Sequence, residues 1–411
     1  VNGQHRIHPV IWHPDGRRVL RRGEGWPAVR LQEDQQIAEA VEAAWGLVVW
    51  TLHDGGLLTG RSGQPRLQAL QESTPDGLKW EEVGVPPLAH ARPWQLPGWP
   101  ARARAWTEHL LASHSLSLRG EPRVLSANDL GFVLRVETTL GSAFFKVSDS
   151  SHEAAVTGFL CHTLPEVLPP VLRADPATNS LLTRSGGELL DGVTDLDAWI
   201  EAVQRLAQFQ QQADAHALAE LSCPSFPLSE MADHVDAFLA DLNTLRGWGV
   251  EEDCLEMLSA ARPAVRVAFR ELAALDLPNL PAHGDAHPRN ALSGSRGSVW
   301  FDWSEAASSA HPFMDAGWFL AFTFHPARAE QPISGAHPDL EQRLTWAYLS
   351  ALGCPDAAPL LSRAVPLALL HRAVIYDARF GNWEGTVPDW RPNFVPYSLR
   401  LAARELARLR P

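Results

Sequence analysis

Lysine is nearly missing from this chain: 33 arginines stand against Lys79 and Lys146 in 411 residues. Arginine thus supplies the ordinary surface charge. Lys146 ends the apolar stretch of SAFFKVS, where a compact point charge needs a polar partner nearby. Cysteine is scarce as well. Cys161, Cys223, Cys254 and Cys354 lie 31 residues or more apart and form no CxxC pair, which excludes a zinc knuckle and a dense disulfide scaffold. No uncharged apolar run reaches the roughly 18 residues of a membrane span. The start VNGQHRIHPVIWHPDG lacks the basic and apolar regions of a secretory signal, so a cytoplasmic location and no membrane partner are expected. Net positive charge is absent too: a formal charge of -13 disfavours nonspecific nucleic-acid binding. Most of that charge lies in residues 191–276, where 16 carboxylates face five arginines, a balance of -11.

What is present divides into three parts. Residues 1–95 read as a small mixed α/β domain: two strands around Asp15-Gly16, a helix in IAEAVEAAWG stopped by Gly46, and strands in LVVWTLHDGG, PRLQALQES and LKWEEVG. The Pro-rich VPPLAHARPWQLPGWP closes this part. Residues 96–187 open with a surface helix in ARARAWTEHLLASH and continue with three strands in PRVLSANDLGFVLRVETTLGSAFFKVS. A helix in SSHEAAVTGFLCHTLP and two more strands complete a small antiparallel sheet. Residues 188–411 are expected to be helical apart from one short hairpin, which makes the chain α+β.

The strongest chemical signal is PAHGDAHPRNALSGSRGSVWFDWSEA. Asn290 starts a short strand, Gly294 to Gly297 turns it, and the returning strand delivers Asp302 beside Asn290. Adjacent strands sit about 4.8 Å apart, so an amide oxygen and a carboxylate can share one hard cation such as Mg²⁺. Asp285 lies five residues before Asn290, placed to face a reacting group. His283 and His287 are four apart, but Pro288 and the missing HExxH pattern exclude a zinc helix. No Walker-A or G-x-S-x-G sequence occurs.

His283, Gly284, Asp285, Asn290 and Asp302, in that spacing, resemble the aminoglycoside-phosphotransferase and protein-kinase-like superfamily. The resemblance covers roughly residues 100–411. It implies a bilobal protein-kinase-like fold, a small antiparallel sheet lobe with a larger helical lobe. It also implies transfer of the γ-phosphoryl group of ATP or GTP to a hydroxyl of a small metabolite or antibiotic-like acceptor. Asp285 is then the catalytic base or hydroxyl-orienting residue, Asn290 and Asp302 hold Mg²⁺, His283 braces the loop and Asp315 of HPFMDAG anchors it. Lys146 and Glu153, seven residues apart, match the phosphate-holding lysine and its carboxylate partner. The SANDLG loop would cover the nucleotide, with Ser126 and Asn128 as contacts, and residues 182–186 would cross between lobes. Two departures stand out. Arg289 occupies a frequent glycine position, and Gln210 replaces a histidine common in the LARLH-like helix.

The alternatives are a noncatalytic nucleotide-responsive binding module and a protein kinase; Asp302-Trp303 in place of Asp-Phe-Gly argues against the latter. The acidic balance of residues 191–276 and the late aromatics Tyr376, Phe380, Trp383, Trp390, Phe394 and Tyr397 suggest a cationic or neutral acceptor. The first part resembles the Nudix fold in element order, but Ala40, Ala43 and Ala44 stand where that family's box carries metal-binding glutamates. Nudix hydrolysis is therefore not expected.

Overall fold

Asp15-Gly16 turns the chain between the strands Val10–Trp12 and Val19–Arg21, with Gly16 at a φ of 71°. The computed structural model describes residues 5–32, 35–53, 64–85, 91–321, 332–380 and 390–408. The chain forms two units. One contains residues up to 149 with 180–183 and 382–392; the other contains 150–179, 184–381 and 393 onward.

In the first unit, five strands pair in the order Val49–His53, Arg66–Ala69, Val10–Trp12, Val19–Arg21, Lys79–Glu81. Val10–Trp12 runs parallel to Arg66–Ala69 and the remaining neighbours are antiparallel, so the sheet is mixed. The helix Ile37–Trp45 buries Ile37, Ala40 and Val41 against it and ends at left-handed Gly46. The helix Trp99–Ser113 leads into an antiparallel meander of Leu118–Asn128, Gly131–Thr138 and Gly141–Ser148, with Ser180–Arg184 beside the third strand. Alternate residues Phe132, Leu134, Val136 and Ala143, Phe145, Val147 are buried, the period of two that a half-covered sheet requires. An aromatic seam joins the two sheets. Trp50 and Trp99 pack on Phe132, at ring separations of 6.1 and 5.8 Å, and Trp106 packs on Phe145 at 4.7 Å.

The second unit is mainly helical, built around Leu196–Gln212, Leu228–Ala240, Glu252–Ala273, Phe313–Ala321, Leu340–Leu352 and Ala358–Phe380. Asp195, Asp214 and Asp241 cap helices by accepting backbone N–H groups from Asp197, from His216 and Ala217, and from Asn243 and Thr244. The stretch Pro355–Phe380 is long and apolar enough to cross a membrane by length and composition alone, and 61% of its most apolar window is buried inside the protein. The expectation of a single hairpin here is corrected. Ser225–Phe226, Leu280–Ala282 and Ala307–Ala310 form a further sheet, and Glu188–Leu189 extends the hairpin Ala291–Gly294/Gly297–Trp300. Strands of two to four residues rich in Ala, Ser and Pro carry no readable alternation.

Candidate active site

The strand Leu280–Ala282 delivers the chain into His283-Gly284-Asp285. Asp315, in the first turn of the helix Phe313–Ala321, fixes this bend from below. Its Oδ2 accepts the His283 backbone N–H at 2.7 Å and its Oδ1 that of Gly284 at 3.0 Å. Gly284 has a φ of 80°, and a Cβ there would lie 1.8 Å from the Glu305 carbonyl oxygen, so only glycine fits. Burial pushes the Asp315 carboxyl up to about 6 despite those two donors. Gln210 reaches Asp315 through its side-chain amide. Its Nε2 donates to the Pro312 carbonyl at 3.1 Å and to Asp315 Oδ2 at 3.4 Å, while its Oε1 lies 2.7 Å from the Tyr348 hydroxyl.

The His283 ring is buried between Trp300 and Trp303. Its Nε2 sits 3.0 Å from the Phe301 carbonyl oxygen, a donor's position, and its Nδ1 accepts the Asp285 backbone N–H at 3.3 Å. That pattern requires a neutral ring protonated on Nε2, and burial holds the imidazole down at about 4.

Asp285 is approached from every side. Trp318 Nε1 donates to its Oδ1 at 3.0 Å, and an Arg372 guanidinium nitrogen lies 3.0 Å from the same oxygen. Asn290 Nδ2 donates to Oδ2 at 3.2 Å and to the Asp285 carbonyl at 3.0 Å, and His287 Nε2 is 3.5 Å from Oδ2. Burial alone would raise this carboxyl. The Arg372 charge, with His287 and His283, instead holds it well below the usual carboxylate range. Arg372 is 3% exposed and also donates to the Gly284 carbonyl at 2.7 Å and to Glu305 Oε2 at 2.5 Å. Arg372, Trp318 and Glu305 were not singled out from the sequence. Arg372 sits in a helix buried nearly all round, where no apolar period marks a functional face.

The hairpin register pairs Ala291 with Trp300, and Phe301 donates its N–H to the Asn290 carbonyl at 3.0 Å, which places Asp302 one residue beyond Asn290's partner. Asp302 adopts a left-handed φ of 63°, and its Oδ1 accepts the Ser304 hydroxyl at 2.7 Å. With its Nδ2 committed to Asp285, the Asn290 amide turns its oxygen elsewhere. Asn290 and Asp302 thus offer hard oxygen donors that fit Mg²⁺ with phosphates and water completing its shell. Among the described residues no cluster of three His, Cys, Asp or Glu forms a metal cage of its own.

Lys146 lies on the strand Gly141–Ser148 of the first unit, and the buried Glu153 opens the helix Glu153–Thr163 of the second. Arg289 is solvent-facing and lies 3.5 Å from Asp191. Of the late aromatics, Tyr376 stacks on Phe394 at 4.0 Å and lies under the Arg372 guanidinium at 5.2 Å. Trp383 and the Trp390 side chain fall outside the described residues. A cavity of about 270 Å³ is walled in part by Phe226, Met231, Met314, His371, Trp318 and Arg372, the last two being the groups that touch Asp285 Oδ1.

The model of the phosphotransferase enzyme family (APH) matches residues 132–352, more than half of the chain, and the chain belongs to that family. Its α+β architecture, an antiparallel sheet in one unit and a helical second unit carrying the His-Gly-Asp loop, is the protein-kinase-like fold, and the chain is a phosphotransferase-like enzyme. Among solved structures it is similar to a macrolide 2'-phosphotransferase type I, at 15% identity over 72% of this chain and 95% of that one, with a TM-score of 0.46. A choline/ethanolamine kinase family protein from Mesorhizobium loti matches at 17% identity over 74% and 98%, with a TM-score of 0.45. The choline kinase LicA from Streptococcus pneumoniae matches at 14% identity over 75% and 99%, with a TM-score of 0.47. No curated protein matches the chain.

Proposed function

We propose that the chain transfers the γ-phosphoryl group of ATP, or of GTP, to a hydroxyl of a small molecule. The observation that carries this reading is the setting of Asp285: a carboxylate kept ionised by Arg372 and oriented by the Trp318 and Asn290 N–H donors, with Trp318 and Arg372 themselves lining a cavity of about 270 Å³. In the reaction the acceptor oxygen bonds to the γ-phosphorus, the bond from phosphorus to the β–γ bridging oxygen breaks with its electron pair going to the nucleoside diphosphate, and the hydroxyl proton passes to Asp285. A carboxylate held so far below its usual range is a weak base. Asp285 therefore acts mainly by orienting the hydroxyl, and the proton moves late, once bonding to phosphorus has acidified the oxygen.

Lys146, with Glu153 as its partner, would hold the nonreacting phosphates, and Asn290 with Asp302 would hold Mg²⁺. Bound there, the ion neutralises charge on the transferred group. His283 and Asp315 keep Asp285 in place, and residues 1–95 form a domain added to lobes at 96–187 and 188–411. The test is a metabolite-library assay with labelled ATP and GTP in Mg²⁺. Transfer to a small hydroxylated acceptor, lost in Asp285→Asn, is the expected result. Label in peptides alone would make the chain a protein kinase, and nucleotide binding without any transfer would make it a binding module.

A further inference from the structure

The hairpin tip between Leu118–Asn128 and Gly131–Thr138 is not open to solvent. Asp129 is 7% exposed; its Oδ1 accepts the Gln95 Nε2–H at 2.7 Å and lies 3.5 Å from His53 Nε2. Trp94 Nε1 donates to the Asn128 carbonyl at 2.7 Å. Behind these contacts, Gln95 Oε1 accepts the Arg92 backbone N–H at 2.8 Å, and the Arg92 guanidinium lies 3.5 Å from Asp149. On the other side the tip presses on the strand that carries Lys146. The Asp149 N–H donates to the Leu130 carbonyl at 2.9 Å, and a Cβ on Gly131 would come within 2.8 Å of the Val147 carbonyl oxygen.

An aspartate that merely closed a turn would do so in water. A buried carboxylate, in contrast, is tolerated only when hydrogen-bonded. Burial alone would raise the Asp129 carboxyl, yet the hydrogen bonds from His53 and Gln95 and the charge of Arg92 hold it below its ordinary value. His53 ends a strand of the N-terminal sheet, and Trp94 and Gln95 belong to the short 3-10 turn Pro93–Gln95 on the way out of it. Both ends of the grip therefore belong to the first unit.

We infer that the N-terminal sheet and its exit turn are a clamp on the kinase hairpin, with His53, Trp94 and Gln95 as positioning residues that fix residues 126–131 for nucleotide binding. This rests on the reading that this hairpin covers the nucleotide phosphates. A loop ordered in advance has no ordering cost when the nucleotide arrives. Loosening the clamp should therefore weaken nucleotide affinity far more than turnover.

The test uses the full chain, Gln95→Glu, Asp129→Asn and the double variant. The double variant swaps donor and acceptor across one hydrogen bond and keeps an oxygen for the Arg92 N–H. Calorimetric affinity for Mg-ATP and Mg-GTP, KM and kcat, thermal stability, and amide hydrogen exchange in residues 126–131 are measured for each. Gln95→Glu, which sets two carboxylates together, is expected to weaken nucleotide binding roughly tenfold, to raise KM with kcat moved much less, and to speed exchange in residues 126–131. The double variant should recover most of that loss. Should Gln95→Glu fail to fold, Asp129→Asn gives the same readouts. Equal affinity in all variants, or faster exchange with affinity unchanged, overturns the clamp while leaving the kinase reading intact. A wild-type chain that binds neither nucleotide overturns that reading and the clamp with it.

Discussion

The Arg372 guanidinium touches Asp285, the Gly284 carbonyl and Glu305 at once, so one side chain bears on both the charge and the position of the His-Gly-Asp loop. Removing one partner of a buried ion pair leaves an uncompensated charge, at a cost of roughly 3–5 kcal/mol. Arg372→Met should therefore lower the melting temperature and, by relieving the depressed Asp285 carboxyl, move the acid limb of the pH–rate profile to higher pH. An unmoved limb in the folded variant would show that Arg372 does not tune Asp285. The roles of the two aspartates separate in a second experiment. Asp285→Asn should reduce transfer by roughly a hundred- to ten-thousand-fold while Mg-nucleotide affinity holds. Asp302→Asn should weaken that affinity itself, because it removes an anionic ligand while asparagine tolerates the left-handed φ of 63°. Calorimetry on both variants decides, and equal losses of affinity would defeat the division.

Three elements hold the His-Gly-Asp loop: the helix Phe313–Ala321 through Asp315, the helix Ala358–Phe380 through Arg372, and the short turn Pro288–Asn290 before the hairpin through Asn290. Asp315→Asn turns an N–H donor toward a backbone N–H and leaves it unsatisfied, for about 1–3 kcal/mol. Lower stability and lower kcat with nucleotide affinity retained are expected; unchanged kcat would mean that the loop keeps its shape without this anchor. The hairpin was legible in the sequence because Gly294 to Gly297 and the flanking β-formers are local signals. Asp315 was legible only through the family pattern, since nothing local tells an anchoring aspartate from a helix-start one. Arg372 was not legible at all: its partner Gly284 is 88 residues away, and a helix buried all round hides which face meets the site. The sheet of Ser225–Phe226, Leu280–Ala282 and Ala307–Ala310 was not legible for lack of strand length.

Across the whole molecule, His283 and His311 are held by burial at about 4 and His371 at about 3, against about 6.5 when unfolded. The unfolded chain protonates them first, so their stabilisation is complete above about pH 6.5 and is lost as pH falls toward those lower values. Asp315, raised to about 6, has the opposite sign: it favours the folded state as pH falls from about 6 toward its unfolded value of 3.8. Three histidines outweigh one aspartate, so the melting temperature should drop between pH 7 and pH 5; a rise would refute this balance. The acidic stretch 191–276 also takes on a plainer meaning. Asp195, Asp214 and Asp241 cap helices and Asp236 pairs with Arg262 and Arg266, which removes part of the basis for expecting a cationic acceptor. The near absence of lysine has a practical consequence for chemical labelling. An amine-acylating reagent meets only two lysine side chains: Lys79, 67% exposed beside Glu81, and the more sheltered Lys146. Lys79 then serves as an internal clock for the reagent. Mg-ATP should slow acylation of the peptide containing Lys146 and leave that of Lys79 unchanged, and equal rates with and without nucleotide would remove Lys146 from the phosphate site.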